Sequence, residues 1–146
     1  VMRVRTALLA AALAVVACAP QRTRIAVPGG PLDVDRFLAD HPLPEGTPIR
    51  VEQIGRTEGA SYHVVQVLGA ENPHRHATHD LTVLVLRGRG ILHRAAGETP
   101  LEAGDAAVVP RGEAHWFASE GAFPAVALVV FTPPLDEPDA VPLDAR

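Results

Sequence analysis

The chain has 146 residues with 13 basic and 17 acidic side chains, and its 14 prolines and 12 glycines are spread along its length. So many prolines and glycines argue against long helices and favour short strands joined by turns. The length predicts one domain, and the scattered arginines form no basic run, which argues against nucleic acid as a partner.

The first 17 residues are typical of a bacterial export signal. Arg3 and Arg5 precede the apolar run 6–17, whose 12 residues are fewer than the roughly 20 that span a bilayer. The run ends in the letters VVAC, which resemble the lipobox of bacterial lipoproteins, where the cysteine is acylated and becomes the mature N-terminus. We expect residues 1–17 to be removed and Cys18 to anchor an exported protein to the cell envelope by lipid. Ala19, rather than aspartate, follows the cysteine and favours the periplasmic face of the outer membrane; the alternative is an ordinary signal peptide with an incidental cysteine.

The next segments predict a tether, a short helix and then a β-rich domain. Residues 18–32 are rich in proline, glycine and arginine and predict a tether with little structure. Residues 33–39 predict one or two helical turns capped by Asp33. At least seven short β-rich runs then follow at spacings near ten residues, which predicts an antiparallel sandwich or barrel. The domain is expected to cover residues 33–134, with an acidic, proline-bearing tail at 135–146.

Four of the seven histidines lie in two stretches of this domain. Residues two apart on a strand point to one face, so His74 and His76 place two imidazole rings side by side. Inside a barrel this pair is costly unless its nitrogens are satisfied, and a metal ion satisfies both. Pro110 and Gly112 punctuate a tight turn that delivers His115 to the same interior. The pattern predicts an open divalent-metal site with positions left for water or substrate.

These two stretches resemble the two sequence motifs of the cupin superfamily. The second motif is a glycine, five residues, a proline, one residue, a glycine, two residues and a histidine, matched here by Gly104, Pro110, Gly112 and His115. Ser119 stands where the family usually has asparagine. The first motif is represented by His74-x-His76 and by Gly88. The resemblance covers residues 48–133 and implies an all-β cupin fold, a double-stranded β-helix or jelly-roll barrel, with a bound divalent metal ion.

The first motif departs from the family pattern at its carboxylate. The family usually places a glutamate after three or four residues that follow the histidine pair, and this position is Asp80 or Leu81 here. Counting back from Gly88 also leads to Leu81, which cannot bind metal. His79 shares the strand parity of Leu81 and is slightly favoured as the fourth ligand, whereas Asp80 carries the charge. A site of three histidines without a carboxylate is the remaining alternative.

The resemblance to cupins does not decide the chemistry, because this fold serves many functions. The first hypothesis is a metal-dependent oxygenase or related small-molecule enzyme, holding Fe, Mn, Ni or Zn through His74, His76 and His115. The alternatives are a non-catalytic envelope protein that binds a metal or small ligand, and a structural barrel without a ligand. No catalytic base stands out beside the predicted ligands, and His63 and His93 are predicted to be ordinary strand residues. A homodimer is expected, because many cupins are dimers.

Overall fold

The computed structural model describes residues 22–143, in which the chain forms one short helix and twelve strands. The predicted signal peptide, Cys18 and the first part of the predicted tether lie outside the described residues, as do residues 144–146. Among residues 22–143, no helix is long and apolar enough to cross a membrane.

The helix α1 spans Val34–Asp40. The strands are, in chain order, β1 (Arg24–Val27), β2 (Gly30–Asp33), β3 (Ile49–Arg56), β4 (Ser61–Val67), β5 (His74–His76), β6 (Asp80–Arg87), β7 (Arg89–Arg94), β8 (Gly97–Glu102), β9 (Ala106–Val109), β10 (His115–Glu120), β11 (Ala125–Thr132) and β12 (Ala140–Pro142).

Ten of these strands form two antiparallel sheets of five. The first sheet has the order β12-β5-β10-β7-β8, and the second has the order β3-β4-β11-β6-β9. Apolar side chains from both sheets meet in one core cluster, in which Leu92 and Leu101 of the first sheet face Val109, Val129 and Phe131 of the second. The all-β, two-sheet barrel predicted from the strand spacing is therefore confirmed.

The predicted tether contains ordered structure, which corrects the expectation for residues 22–32. β1 and β2 pair as a hairpin, and α1 follows directly with Asp33 as its N-cap, as predicted, since its carboxylate accepts the Arg36 backbone N–H at 3.1 Å. Ile25 of the hairpin and Val34 of the helix pack with Val64 on the second sheet. This cover explains the nearly continuous burial of β4, because both faces of that strand are shielded from water.

The predicted tail also contributes to the fold. β12 pairs with β5 and so forms the edge of the first sheet, with Val141 opposite Arg75. The folded unit therefore extends beyond the predicted boundaries of 33 and 134 on both sides. The sequence did not predict this strand, because the segment is acidic and contains prolines. A short edge strand also has too few residues to show an alternating pattern.

Gly90 on β7 allows the first sheet to pack closely. A Cβ at this position would overlap the carbonyl oxygen of Ala118 and the ring of Phe117 on β10. We expect Gly90→Ala to lower the free energy of unfolding by about 1–3 kcal/mol, as overpacking does in other cores. Denaturant unfolding measures this, with Gly59→Ala as the control, since a Cβ there meets nothing within 4 Å. Equal stability of the two variants would contradict the packing argument.

Candidate metal centre

The two histidine stretches meet as neighbouring strands of the first sheet. His115 begins β10 and pairs directly with His74 of β5. Paired residues share one face, with Cβ atoms about 4.5–5.5 Å apart, and His76 lies on the same face two residues along. The ring centroids are 4.5 Å apart for His74 and His115, 5.0 Å for His74 and His76, and 5.5 Å for His76 and His115. One ring nitrogen from each of these three predicted ligands, hereafter the histidine triad, lies within 4.8 Å of the other two.

The motif residues around β10 hold this strand against the stretch that contains β5. Gly112 has a φ of +81°, which favours glycine, and its N–H donates to the carbonyl oxygen of His76 at 2.7 Å. At the other end of β10, the Ser119 hydroxyl accepts the Gly69 N–H at 2.9 Å and donates to the Gly69 carbonyl at 3.1 Å. Ser119, which replaces the usual asparagine, thus bonds β10 to Gly69. The turn at Gly112 places His115 beside His74, as predicted.

Each ring of the histidine triad donates its Nδ1 hydrogen to an oxygen. The three bonds run from His74 to the Asn72 carbonyl at 2.8 Å, from His115 to the Glu113 carbonyl at 2.9 Å, and from His76 to the Asp139 carboxylate at 2.7 Å. Because these oxygens only accept, every Nδ1 carries the proton and every Nε2 keeps a lone pair. Imidazoles oriented in this way by a second hydrogen bond are the usual ligands of Zn and related metals.

The buried rings are also in the charge state that binds metal. His115 is only 4 % exposed, and this burial lowers its pKa to about 4. Burial likewise lowers the pKa of His76, although its hydrogen bond to Asp139 opposes the change. Neutral imidazole is the form that coordinates a divalent cation, so the donor set of the triad fits such an ion.

Asp139, in the predicted tail, joins the triad to its surroundings and was missed by the sequence analysis. One carboxylate oxygen accepts from His76, and the other accepts from His79 at 2.5 Å and from the Thr78 N–H at 3.1 Å. Burial would raise the pKa of Asp139, but the hydrogen bonds from His79 and His76 outweigh it and bring this pKa well below its ordinary value. Asp139 therefore stays anionic. No motif spacing marks it, because it lies 63 residues from His76.

In the structure, neither of the positions considered for a fourth ligand, 79 and 80, joins the histidine triad. His79 is buried, but its Nδ1 donates to Asp139, and the cluster of the described residues that can hold a metal contains neither it nor Asp80. Asp80 bonds to the Nη2 atom and backbone N–H of Arg111 at 2.7 and 2.8 Å, and these bonds lower its pKa to about 2. Leu81, where the family spacing places a carboxylate, is buried in the core. The three-histidine alternative is the one the geometry favours.

Glu71 is a second acidic residue that the sequence analysis missed. Its backbone N–H donates to the Phe117 carbonyl at 3.0 Å, and its carboxylate accepts the Phe117 N–H at 2.9 Å. Burial raises the pKa of Glu71, against the opposing effects of the Phe117 N–H and the charge of His74. An acidic residue three positions before His74 was a signal available in the sequence.

A cavity of about 880 Å³ lies between the two sheets and includes the histidine triad and Glu71 in its wall. Its size is within the range of small-molecule sites, about 300–1,000 Å³. The residues of the triad thus lie where a small molecule and a cation can meet.

The chain is similar in sequence to the cupin domain family and to a bacterial relative. The family model for the cupin domain matches residues 61–131. An uncharacterized protein of Aquifex aeolicus (strain VF5) is 36% identical over 93 residues, which make up 64% of this chain and 76% of that protein.

Solved structures share the fold. An uncharacterized conserved protein with a double-stranded β-helix domain from Klebsiella pneumoniae has a TM-score of 0.61 and 20% identity, over 74% of this chain and 95% of that one. Ectoine synthase from P. lautus has a TM-score of 0.57 and 21% identity, over 70% and 81% respectively. The double-stranded β-helix expected from the two motifs is therefore confirmed.

We expect Asp139→Ala to weaken binding of Zn²⁺ by about 10–100-fold, as the loss of a carboxylate behind a histidine ligand does elsewhere. Chelator competition measures the affinity. Asp139→Asn keeps one acceptor oxygen and should give an intermediate value. Asp35→Ala is the matched control, because Asp35 pairs with Arg87 at 2.7 Å and does not line the cavity. An Asp139→Ala protein that binds as tightly as the wild type would show that the carboxylate does not position His76.

Proposed function

This chain belongs to the cupin domain family, and on that premise we propose that it is a metal-dependent small-molecule enzyme of the oxygenase type. The observation that supports the proposal is the convergence of three histidine ring nitrogens at the wall of a cavity large enough for a small molecule. Three protein ligands leave coordination positions open, which is the arrangement of catalytic rather than structural metal sites.

His74, His76 and His115 would hold a divalent ion of Fe, Mn, Ni or Zn, all of which accept imidazole nitrogen. Such an ion supplies a Lewis acid and, when it is redox-active, a centre for dioxygen chemistry. Three neutral rings bring no charge of their own, and Leu81 stands where the family usually has an anionic ligand. A ligand with a strongly dipolar oxygen would therefore be favoured at the open positions.

Glu71 favours an enzyme over a simple binder. Its carboxyl group lies in the wall of the same cavity as the histidine triad. Burial raises the pKa of Glu71, which is the direction that favours a carboxyl group as a general acid or base. The hydrogen bond from the Phe117 N–H holds one carboxylate oxygen in place, which leaves the other to take or return a proton.

We expect the protein, purified without a histidine tag, to contain about one divalent metal ion per chain, and His74→Ala, His76→Ala and His115→Ala each to lose it. Elemental analysis by mass spectrometry measures the content. His41→Gln is the control, because His41 lies at the end of α1 outside the cavity. A metal content well below one ion per chain that the triad substitutions do not change would contradict the proposal.

Oxygen uptake with catechols, flavonols, thiols and oxalate then distinguishes an enzyme from a binder. Metal-dependent turnover that the triad variants lack would support the oxygenase. Full metal content with no turnover of any tested class would favour the alternative, a non-catalytic envelope protein that binds a metal or small ligand.

We propose further that Cys18 is lipidated and holds the domain at the cell envelope. The proposal rests on the apolar run 6–17 and on the letters VVAC. β1 begins at Arg24, six residues after Cys18, so an anchored chain could extend only about 20 Å before the folded domain begins. The barrel would therefore lie close to the membrane surface.

Labelling of the full chain with radioactive palmitate tests the anchor. We expect incorporation into the wild-type protein, recovered with the membrane fraction, and its loss in Cys18→Ser. Label that persists in Cys18→Ser would contradict lipidation at this residue, and His41→Gln should be labelled like the wild type.

A further inference from the structure

The cavity beside the histidine triad is apolar over most of its wall. Both sheets contribute, through Val65, Leu81, Val85, Leu92, Val109 and Phe131 among others. Among the described residues that line it there is no lysine or arginine, whereas four are carboxylates: Glu71, Asp136, Glu137 and Asp139. A negatively charged molecule would meet no side-chain cation there and would be repelled by these carboxylates. The wall therefore suits an uncharged molecule with an apolar body.

His63 on β4 is a polar group in this wall that the proposed metal site does not use. The residue is 4 % exposed, and its ring packs edge-on against Phe131 with centroids 4.9 Å apart. Its Nε2 lies 2.9 Å from the Ser61 hydroxyl, while its buried Nδ1 has no hydrogen-bond partner among the described residues. A buried polar atom without a partner is unfavourable and calls for a physical reason.

The hydrogen bonds of Ser61 determine which ring nitrogen of His63 carries hydrogen. The Ser61 oxygen accepts the Leu135 N–H at 2.9 Å, and among the described residues its own hydrogen has no acceptor other than His63 Nε2. An Nε2–H that donated to Ser61 would leave this buried hydroxyl hydrogen without an acceptor, so the arrangement in which Ser61 donates is favoured. Nε2 then accepts, and Nδ1 must carry the ring hydrogen. Burial lowers the pKa of His63, which keeps the ring neutral. The unpartnered group is therefore an N–H donor.

His63 and the histidine triad are close enough to contact one small molecule. The ring of Phe131 lies 4.9 Å from that of His63 and 5.4 Å from that of His76, so the two histidine rings are within about 10 Å of each other. A compound of one or two rings with an oxygen substituent spans such a distance.

We propose that the cavity binds an uncharged, apolar ring compound whose carbonyl or hydroxyl oxygen accepts a hydrogen bond from Nδ1 of His63. This names the substrate class and rests on the proposed function only in placing the opposite end of the molecule at the histidine triad. The His63 bond itself needs no metal, so it can be tested on metal-free protein.

Three matched probes test the proposal by calorimetric titration: 2-acetylnaphthalene, a neutral ketone; naphthalene, which lacks the oxygen; and 2-naphthoate, the anion. On metal-free protein we expect the ketone to bind about two- to tenfold more tightly than naphthalene, as one added hydrogen bond allows, and naphthoate to bind more weakly than the ketone. His63→Phe should abolish the advantage of the ketone and leave naphthalene binding unchanged. The comparison of two probes within one variant cancels any general distortion of the cavity.

The proposal is overturned if the ketone keeps its advantage in His63→Phe, if naphthoate binds most tightly, or if no probe binds. Should His63→Phe fail to fold, the ¹⁵N resonances of the His63 ring in the wild type give the same information. They should shift with the ketone and not with naphthalene, and equal responses would overturn the proposal. Repetition with Zn²⁺-loaded protein separates the two inferences, since loss of the metal site leaves the metal-free result unaffected.

Discussion

The direct pairing of His115 with His74 is the contact on which the candidate site depends. β5 is only three residues long, so its alignment is set by its neighbours, β10 on one side and β12 on the other. One register pair joins it to β10, whereas three join it to β12. The geometry of the triad therefore requires the C-terminal segment as much as the two motifs, because a slip of one residue would turn the rings to the opposite face.

The three rings of the triad are chemically inequivalent because their Nδ1 partners differ. His74 and His115 donate to neutral carbonyl oxygens, while His76 donates to the anionic carboxylate of Asp139. An anionic partner increases the electron density of an imidazole and makes it the stronger ligand. Asp139 also binds His79, so His79 belongs to the support of the site although its own nitrogens are directed to other partners.

Local spacing predicted those parts of the molecule that depend on local constraints. Strand alternation predicted the two-sheet barrel, the cap at Asp33 predicted α1, and the turn at Gly112 predicted the delivery of His115. The role of Asp139 could not be predicted from local sequence spacing, because it arises from pairing between segments more than 60 residues apart. The hairpin at 24–33 was hidden for a similar reason, since its order comes from packing against Val64 rather than from its own composition.

The replacement of the usual carboxylate by Leu81 links the metal site to the character of the cavity. An anionic ligand would partly neutralise a bound cation and would place a polar group at the wall, whereas Leu81 extends the apolar surface to the edge of the triad. Charge is only weakly screened beside such a surface, so a divalent ion would attract a ligand oxygen strongly. The remaining wall offers packing surface and one unpartnered N–H at His63. A molecule with an apolar body and a few oxygen atoms satisfies all three features, whereas a polyhydroxylated or anionic one would leave most of its polar groups without partners.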